Sequence, residues 1–214
     1  MQASSRKRAY NSIKRRATAK ETRLRIAKSA RRLFASNGYG ATSIEAIARD
    51  ARVAVPTFYA TYGSKRALLF ALLDAADAQA DVAGLRSALQ KAASDHRLQL
   101  SVVVSFTGRF YEQAADLIEV ARGAGSAEPD LVALWKEGEG RRLRGQAPLV
   151  HAWAKAGVLR DGLSERDALD VLWSLTGADN YRLFVVERGW TPSKYQAWLL
   201  LSLEKLLFRS LPSS

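Results

Sequence analysis

Residues 38–69, GYGATSIEAIARDARVAVPTFYATYGSKRALL, decide how the chain folds. Two short helices are predicted within them. The first opens at Thr42-x-x-Glu45, a capping box in which a hydroxyl and a carboxylate satisfy the free N–H groups of a helix start. Its apolar face is Ile44, Ile47, Ala48 and Ala51. A tight break at Arg52-Val53 follows. Pro56 has no N–H to donate, so it belongs in the first turn of the next helix, which runs to about Ala60. Gly63-Ser64 breaks the chain again, and Ser64 is the N-cap of a longer helix carrying Leu68, Leu69, Leu72 and Leu73. Two short helices separated by a tight break suggest a helix-turn-helix. In that motif the second helix enters the major groove of DNA, and the first braces it with its N-terminus near a phosphate. The small residues Ala48 and Ala51 permit that close approach.

Working outward, helical periodicity continues in both directions. Upstream, Thr18-x-x-Glu21 is a second capping box, followed by the stripe Ile26, Ala30, Leu33, Phe34 and a stop at Asn37-Gly38. Downstream, Leu98, Val102, Phe106 and Phe110 recur every four residues. Their spacing predicts helix even across the Val102-Val103-Val104 run. A loop is expected at 123–130 around Gly123, Gly125 and Pro129. A long helix then holds Leu131, Leu134, Trp135, Leu149, Val150 and Trp153, and Gly157 to Gly162 turn the chain. Ser164, with Asp167 three residues on, caps a helix reaching about Glu187. Gly189 ends it, and Thr191-Pro192 starts a last helix through Leu207. The pattern contains no convincing strand and no internal repeat, so the expected fold is all-α. It comprises a basic, flexible arm over 1–16, an N-terminal three-helix helix-turn-helix domain over 17–63 and a helical domain over 64–214.

Charge separates these parts. The net charge is +12, and residues 1–66 hold 16 Lys and Arg against only Glu21, Glu45 and Asp50. The remainder is nearly neutral, with 17 basic and 18 acidic residues. This asymmetry points to a polyanion-binding module joined to a neutral one. The arm, with Arg6-Lys7-Arg8 and Lys14-Arg15-Arg16, has two readings: a minor-groove or phosphate-binding arm, and a solvated extension. With no cysteine and two distant histidines, His96 and His151, the sequence offers no disulfide, thiolate or sequence-local metal motif. No cofactor is expected. No apolar run approaches the ~18 residues of a membrane span, and the charged N-terminus has no apolar core after it and does not read as a signal peptide, so a cytoplasmic location is expected. No Gly-rich phosphate loop, nucleophile elbow or metal motif points to catalysis. Two rivals stand against a sequence-specific regulator: an enzyme with a basic extension, and a nonspecific DNA-compacting protein. The latter explains the charge but not the neutral second module that holds all five tryptophans.

The register Gly38-Tyr39-x-x-Thr42-Ser43-Ile44-x-x-Ile47-Ala48-x-x-Ala51-x-Val53-x-x-x-Thr57-Phe58-Tyr59-x-x-Tyr62-x-Ser64-Lys65-x-x-Leu68 resembles the DNA-binding signature of the TetR family. The resemblance implies a dimeric transcriptional regulator, typically a repressor of a palindromic operator that a small-molecule effector releases. It implies that Thr42 and Ser43 contact a phosphate, that Val55, Pro56, Thr57 and Ala60 face base edges, and that Tyr59 and Thr61 bond the backbone or adjacent bases. Lys65 would pair with a phosphate. The chemistry agrees: hydroxyls and a lysine position the duplex, while Val55, Pro56 and Ala60 suit thymine methyls. Two positions depart from the family pattern. Arg52 stands where a glycine is usual, so the turn is strained or differs, or the side chain reaches a phosphate. Thr61 stands where histidine or an aromatic is frequent. Phe58 and Tyr39 are read as core.

For the second domain the resemblance implies a ligand cavity among the central helices and a four-helix dimer seam from the last two. Phe106, Phe110, Trp135, Trp173 and Phe184 are aromatic candidates for a mainly apolar pocket, and Arg109, Asn180 and Tyr181 are polar ones. Tyr195, Trp198, Leu199, Leu203 and Leu206 give the last helix an apolar surface too broad for one neighbour, which favours the seam.

Overall fold

The computed structural model describes residues 2–79, 81–123 and 129–209. Ten α-helices and one π-helical turn make up the regular structure among these residues, and strand pairing is limited to an isolated bridge between Leu159 and Phe208. The chain divides into two compact units, Met1–Asp74 and Ala75–Ser214. The all-α expectation holds.

In the first unit, helix α1 runs Gln2–Asn37, α2 Ile44–Asp50, α3 Val55–Tyr62, and α4 starts at Lys65 and runs to Gln79. The core is formed by Ile26, Ala30, Phe34, Ile47, Ala48, Phe58, Leu68 and Leu69, all essentially inaccessible to solvent. The expected start of α1 at Thr18 is corrected. The helix passes through that position, and the Thr18 hydroxyl donates to the Lys14 carbonyl at 3.0 Å. A threonine inside a helix satisfies its hydroxyl on the i−4 carbonyl, and no glycine or proline between Gln2 and Asn37 interrupts the ladder. The basic segment 2–16 therefore lies within α1. Gly38, at φ 78°, ends the helix as expected.

In the second unit, α5 spans Val82–Ala92, α6 His96–Gly123, α7 Pro129–Lys155, α8 Glu165–Leu175, α9 Ala178–Tyr181, the π-helical turn Arg182–Glu187, and α10 Pro192–Leu207. Gly125, in the expected 123–130 loop, lies outside the described residues. The Val102–Val104 run is helical. The Leu98, Val102, Phe106, Phe110 row is not the core face, however, and Leu98 is half exposed. The buried face of α6 is the adjacent one, with Leu100, Val103, Val104, Thr107, Tyr111, Ala114 and Leu117. Trp153 is buried and donates from Nε1 to Gln99 Oε1 at 2.7 Å, and its ring meets Phe208 edge-on at 5.0 Å. Ser164 caps α8 and Thr191 caps α10 through the backbone N–H groups of Asp167 and Lys194.

The helix expected from Ser164 to Glu187 is broken at Thr176-Gly177. A helix end buried in this way leaves carbonyls to be satisfied, and side chains satisfy them. Tyr111 donates to the Thr176 carbonyl at 2.9 Å and Asn180 to the Ser174 carbonyl at 2.8 Å, while Arg142 donates to the Trp173 carbonyl. The fully buried Thr176 hydroxyl donates to Leu172 O at 2.7 Å and accepts from Arg142 at 3.0 Å and Gln146 at 2.9 Å. Arg142 is itself ion-paired with Glu139. A cation at a helix C-terminus also complements the helix dipole. Burial raises the Tyr111 hydroxyl pKa well above the ordinary phenol range, so it stays a donor.

Two predictions follow from this unit. Arg142→Ala strands the carbonyl of Trp173 and lowers the unfolding free energy by about 2–3 kcal/mol, the range for hydrogen bonds from a charged donor, measurable by urea titration. His96 stacks edge-on against Phe208 at 4.5 Å, and burial, helped by Arg97, holds its imidazole below the ordinary range. The unfolded chain then takes up the proton first. The stability present above the ordinary imidazole pKa is lost as pH falls through the folded value. The wild type is expected to lose stability between pH 7 and 5 faster than His96→Gln, and equal slopes would rule this out.

Candidate nucleic-acid interface

Helix α2 begins at Ser43, whose Oγ accepts from the Ala46 N–H at 3.1 Å. The N-cap is thus Ser43 and not Thr42. Thr42 is only 1% exposed, and its hydroxyl lies 2.8 Å from the Gly38 carbonyl and 3.2 Å from that of Leu33. Its side chain closes the α1–α2 loop and does not reach the surface, whereas Ser43 is exposed. The first-turn Glu45 has its carboxyl held below the usual range by its own backbone N–H and by the Ser43 hydroxyl.

The turn between α2 and α3 is a Schellman motif. The Val53 N–H donates to Ala48 O at 2.9 Å and the Arg52 N–H to Arg49 O at 3.1 Å. This geometry requires a left-handed residue after the cap, and Arg52 adopts φ 54°. The turn therefore keeps the shape a glycine would give it and holds an exposed guanidinium beside the start of α3, at a conformational cost of about 1 kcal/mol. Asp50, at the end of α2, is ion-paired with Arg32 of α1. That guanidinium, together with Ser29, holds its carboxyl below the usual range.

Helix α3 is fixed by Phe58, which is completely buried. Pro56, Tyr59 and Ala60 are exposed on its other side, and Val55, Thr57 and Thr61 are half-buried. Tyr59 keeps 49% of its surface exposed, which a core residue would not. The Thr61 hydroxyl donates to Thr57 O at 2.7 Å, so it offers an incoming group acceptor capacity only. The far end of α3 is tied to α1. Tyr62 donates to Arg23 O at 3.0 Å, and the Arg23 guanidinium lies 4.6 Å over the Tyr62 ring.

Lys65, expected at a phosphate, is held within the protein. Its ammonium donates to Tyr39 O at 2.9 Å and Thr42 O at 3.0 Å and sits 4.2 Å over the Tyr39 ring. It fastens the α1–α2 loop to the start of α4. Sequence reasoning placed Lys14 and Arg15 in a basic arm but did not see that α1 forms a groove with α3. Lys14, Arg15, Lys20 and Arg23 share a groove with Thr57, Ala60 and Thr61 of α3. The i, i+4 rows Lys14-Thr18-Thr22 and Arg15-Ala19-Arg23 were the available signal.

In the second unit Phe106, Phe110, Tyr181 and Phe184 are joined in one row of ring contacts through Tyr111 and Tyr195. Arg109 is exposed, and Asn180 is engaged with Ser174 O. Tyr181 is buried between the rings of Tyr111 at 5.2 Å and Tyr195 at 5.4 Å. Phe106 and Phe110 stack at 6.4 Å and are half-buried, as is Trp135. Phe184 belongs to an aromatic cluster with Trp190 and Trp198. Trp173 faces the Arg142 guanidinium at 5.0 Å. Of the expected seam, Tyr195, Leu199 and Leu203 are fully buried within the unit and are core, because α10 turns that face inward. Trp198 is half-buried. Leu206 remains exposed, as do Leu183, Val186 and Leu201, which sequence reasoning did not select. No helix among the described residues is long and apolar enough to cross a membrane, and no group of His, Asp and Glu side chains among them could hold a metal ion.

Residues 26–72 match the family described as bacterial regulatory proteins, tetR family. No curated protein sequence matches the chain. Among solved structures, a TetR-family regulator from Syntrophomonas wolfei is 20% identical, with a TM-score of 0.69 over 87% of this chain and 94% of that one. NalD of Pseudomonas aeruginosa, the secondary repressor of the MexAB-OprM multidrug efflux pump, is 21% identical, with a TM-score of 0.68 over 90% and 100%. A transcriptional regulator from Saccharomonospora viridis, solved with choline, is 20% identical, with a TM-score of 0.64 over 89% and 100%. Residues 26–72, within the first unit, are thus similar to the tetR-family regulatory domain, and the chain shares the fold of these solved TetR-family regulators.

Two substitutions separate architecture from contact. Arg52→Gly relieves the left-handed strain and raises stability by about 1 kcal/mol, read by thermal or urea unfolding. Lys65→Met leaves two loop carbonyls without their cation and lowers stability by about 2 kcal/mol. A Lys65→Met protein of wild-type stability would show that the lysine is not structural.

Proposed function

We propose that this protein is a repressor that binds a near-palindromic operator as a dimer and releases it when a small molecule occupies the second unit. The observation that carries the DNA reading is α3. It is a short helix anchored by one buried phenylalanine, with Pro56, Tyr59 and Ala60 turned to solvent beside the capping Ser43 and the exposed Arg52. Val55, Pro56 and Ala60 present apolar surface to thymine methyls, and Thr57 and Tyr59 present hydroxyls to base edges and phosphates. Ser43 and the N–H groups of the first turn of α2 meet one phosphate and Arg52 another.

The dimer reading rests on exposed apolar residues near the end of the chain: Leu183, Val186, Leu201 and Leu206, bordered by Trp198. Two copies joined there would present two α3 helices to successive major grooves, about 34 Å apart. The effector reading rests on the polar cluster at the α8 break. Trp173 Nε1, Arg142 Nε and Gln146 Oε1 are buried and have no protein partner. A buried polar atom without a partner is unfavourable, so a ligand that supplies one acceptor and one donor binds there with a gain. The similar structures include a repressor, NalD, and a regulator solved in complex with choline, which support a repressor that takes a small molecule. An effector that favours a conformation with different α3 spacing lowers operator affinity by its differential binding energy, about 1–3 kcal/mol. Helix α4 crosses the boundary between the units and is the natural lever.

The test is a footprint of the protein on the DNA upstream of its own gene, with random duplex as competitor. A protected, near-palindromic site that survives competition is expected, and Tyr59→Ala together with Thr57→Ala should weaken it by about 1–3 kcal/mol. Equal binding to every sequence would instead indicate a nonspecific DNA-binding protein.

A further inference from the structure

The apolar stripe of α1 begins only at Ile26. Residues 14–25 are exposed except for Thr22, and none is buried. Within residues 2–25 the helix carries Arg6, Lys7, Arg8, Lys14, Arg15, Arg16, Lys20, Arg23 and Arg25 against the single acid Glu21. Like charges on one helix repel, and cations at a helix N-terminus oppose its dipole. No acidic residue lies in the first turn. Nine cations against one acid, with no buried side chain among residues 14–25, suit this stretch to lie along a polyanion.

The geometry says where that polyanion lies. Lys14, Arg15, Thr18, Ala19, Thr22 and Arg23 of α1, with Lys20, form one wall of an open groove of about 950 Å³. Thr57, Ala60 and Thr61 of α3 form the other. The wall facing α1 is thus part of the same α3 surface that would read bases. Thr18, Ala19 and Thr22 on the α1 wall are small or hydroxylated, and Lys14, Arg15, Lys20 and Arg23 stand around them. This suits a sugar–phosphate strand better than an apolar partner.

We infer that the basic N-terminal half of α1 is a second DNA-contacting helix, which grips the phosphate strand flanking the major groove that α3 enters. The inference rests on the operator reading of α3. It also decides between the two readings of the basic segment. An α-helix with side chains is about 10–12 Å across, whereas the minor groove is about 6 Å wide. A segment built as a helix therefore lies over the phosphates and does not thread the minor groove.

The experiment uses the full-length protein and a duplex that the wild type itself enriches from a random-sequence pool. Binding is measured across a salt series for the wild type, for K14Q/R15Q/K20Q and for a control, R86Q/K91Q/R160Q, which removes the same charge from the second unit. The groove variant is expected to reduce the slope of log K against log salt by about 0.9 for each lost phosphate contact, up to about 3. Its preference for the enriched duplex over a scrambled one should be unchanged. The control should keep the wild-type slope. A groove variant with the wild-type slope overturns the inference while leaving the α3 reading intact, and so does a control that loses as much slope as the groove variant. A wild type that enriches no sequence overturns the operator reading and this arrangement with it, and that failure is visible before any variant is compared.

Discussion

The burial of Phe58 is the constraint on which the interface depends. Helix α3 has eight residues, and an isolated helix of that length is not stable in water. It exists because one side chain is driven into the core formed by Ile26, Phe34 and Ile47, a gain of about 1.5–3 kcal/mol for full burial. Everything that α3 offers to solvent is positioned by that single anchor, by the Schellman turn at Arg52 and by the Tyr62–Arg23 tie at its far end. The exposed face is consequently free to vary in chemistry without disturbing the fold.

The second unit solves a different problem. A helix that must stop inside a folded core leaves carbonyls without water, and here Tyr111, Arg142 and Asn180 donate to them while Gln146 donates to the Thr176 hydroxyl. Tyr111, Arg142, Gln146 and Asn180 hold the end of α8 and the short α9 in place. The same convergence leaves Trp173, Arg142 and Gln146 with polar atoms that no protein group satisfies. Structural support and unsatisfied recognition capacity are thus features of one cluster.

The helix-turn-helix was legible because its signals are local. The proline in the first turn, the small residues on α2 and the turn at Gly63-Ser64 all fall where the structure has them. The α8 break at Thr176-Gly177 was not legible, because its cause is Arg142, Tyr111 and Gln146, residues 30 and more positions away. Thr42 and Lys65 were read from their family positions as phosphate ligands, yet both are committed to closing the α1–α2 loop, a commitment that only the folded chain reveals. Three residues of the expected seam are core for a similar reason. Periodicity identifies an apolar face of α10 but cannot say whether its own unit or a second copy covers it, and Tyr195, Leu199 and Leu203 are covered from within. The capping box at Thr18 misled because the same four-residue pattern also occurs inside an uninterrupted helix.

Helix α1 is one continuous rod of 36 residues. At 1.5 Å per residue, the portion ahead of Ile26 is about 36 Å long. A rod fixed at one end converts a small rotation at its base into a large displacement at its tip: a tilt of about 10° over that length sweeps the end through about 6 Å. That is about four times the rise of one helical residue. The molecule therefore has mechanical gain built into its first helix, so a rotation of the first unit too slight to unseat α3 would already carry the distant cations out of register with a strand of fixed phosphate spacing.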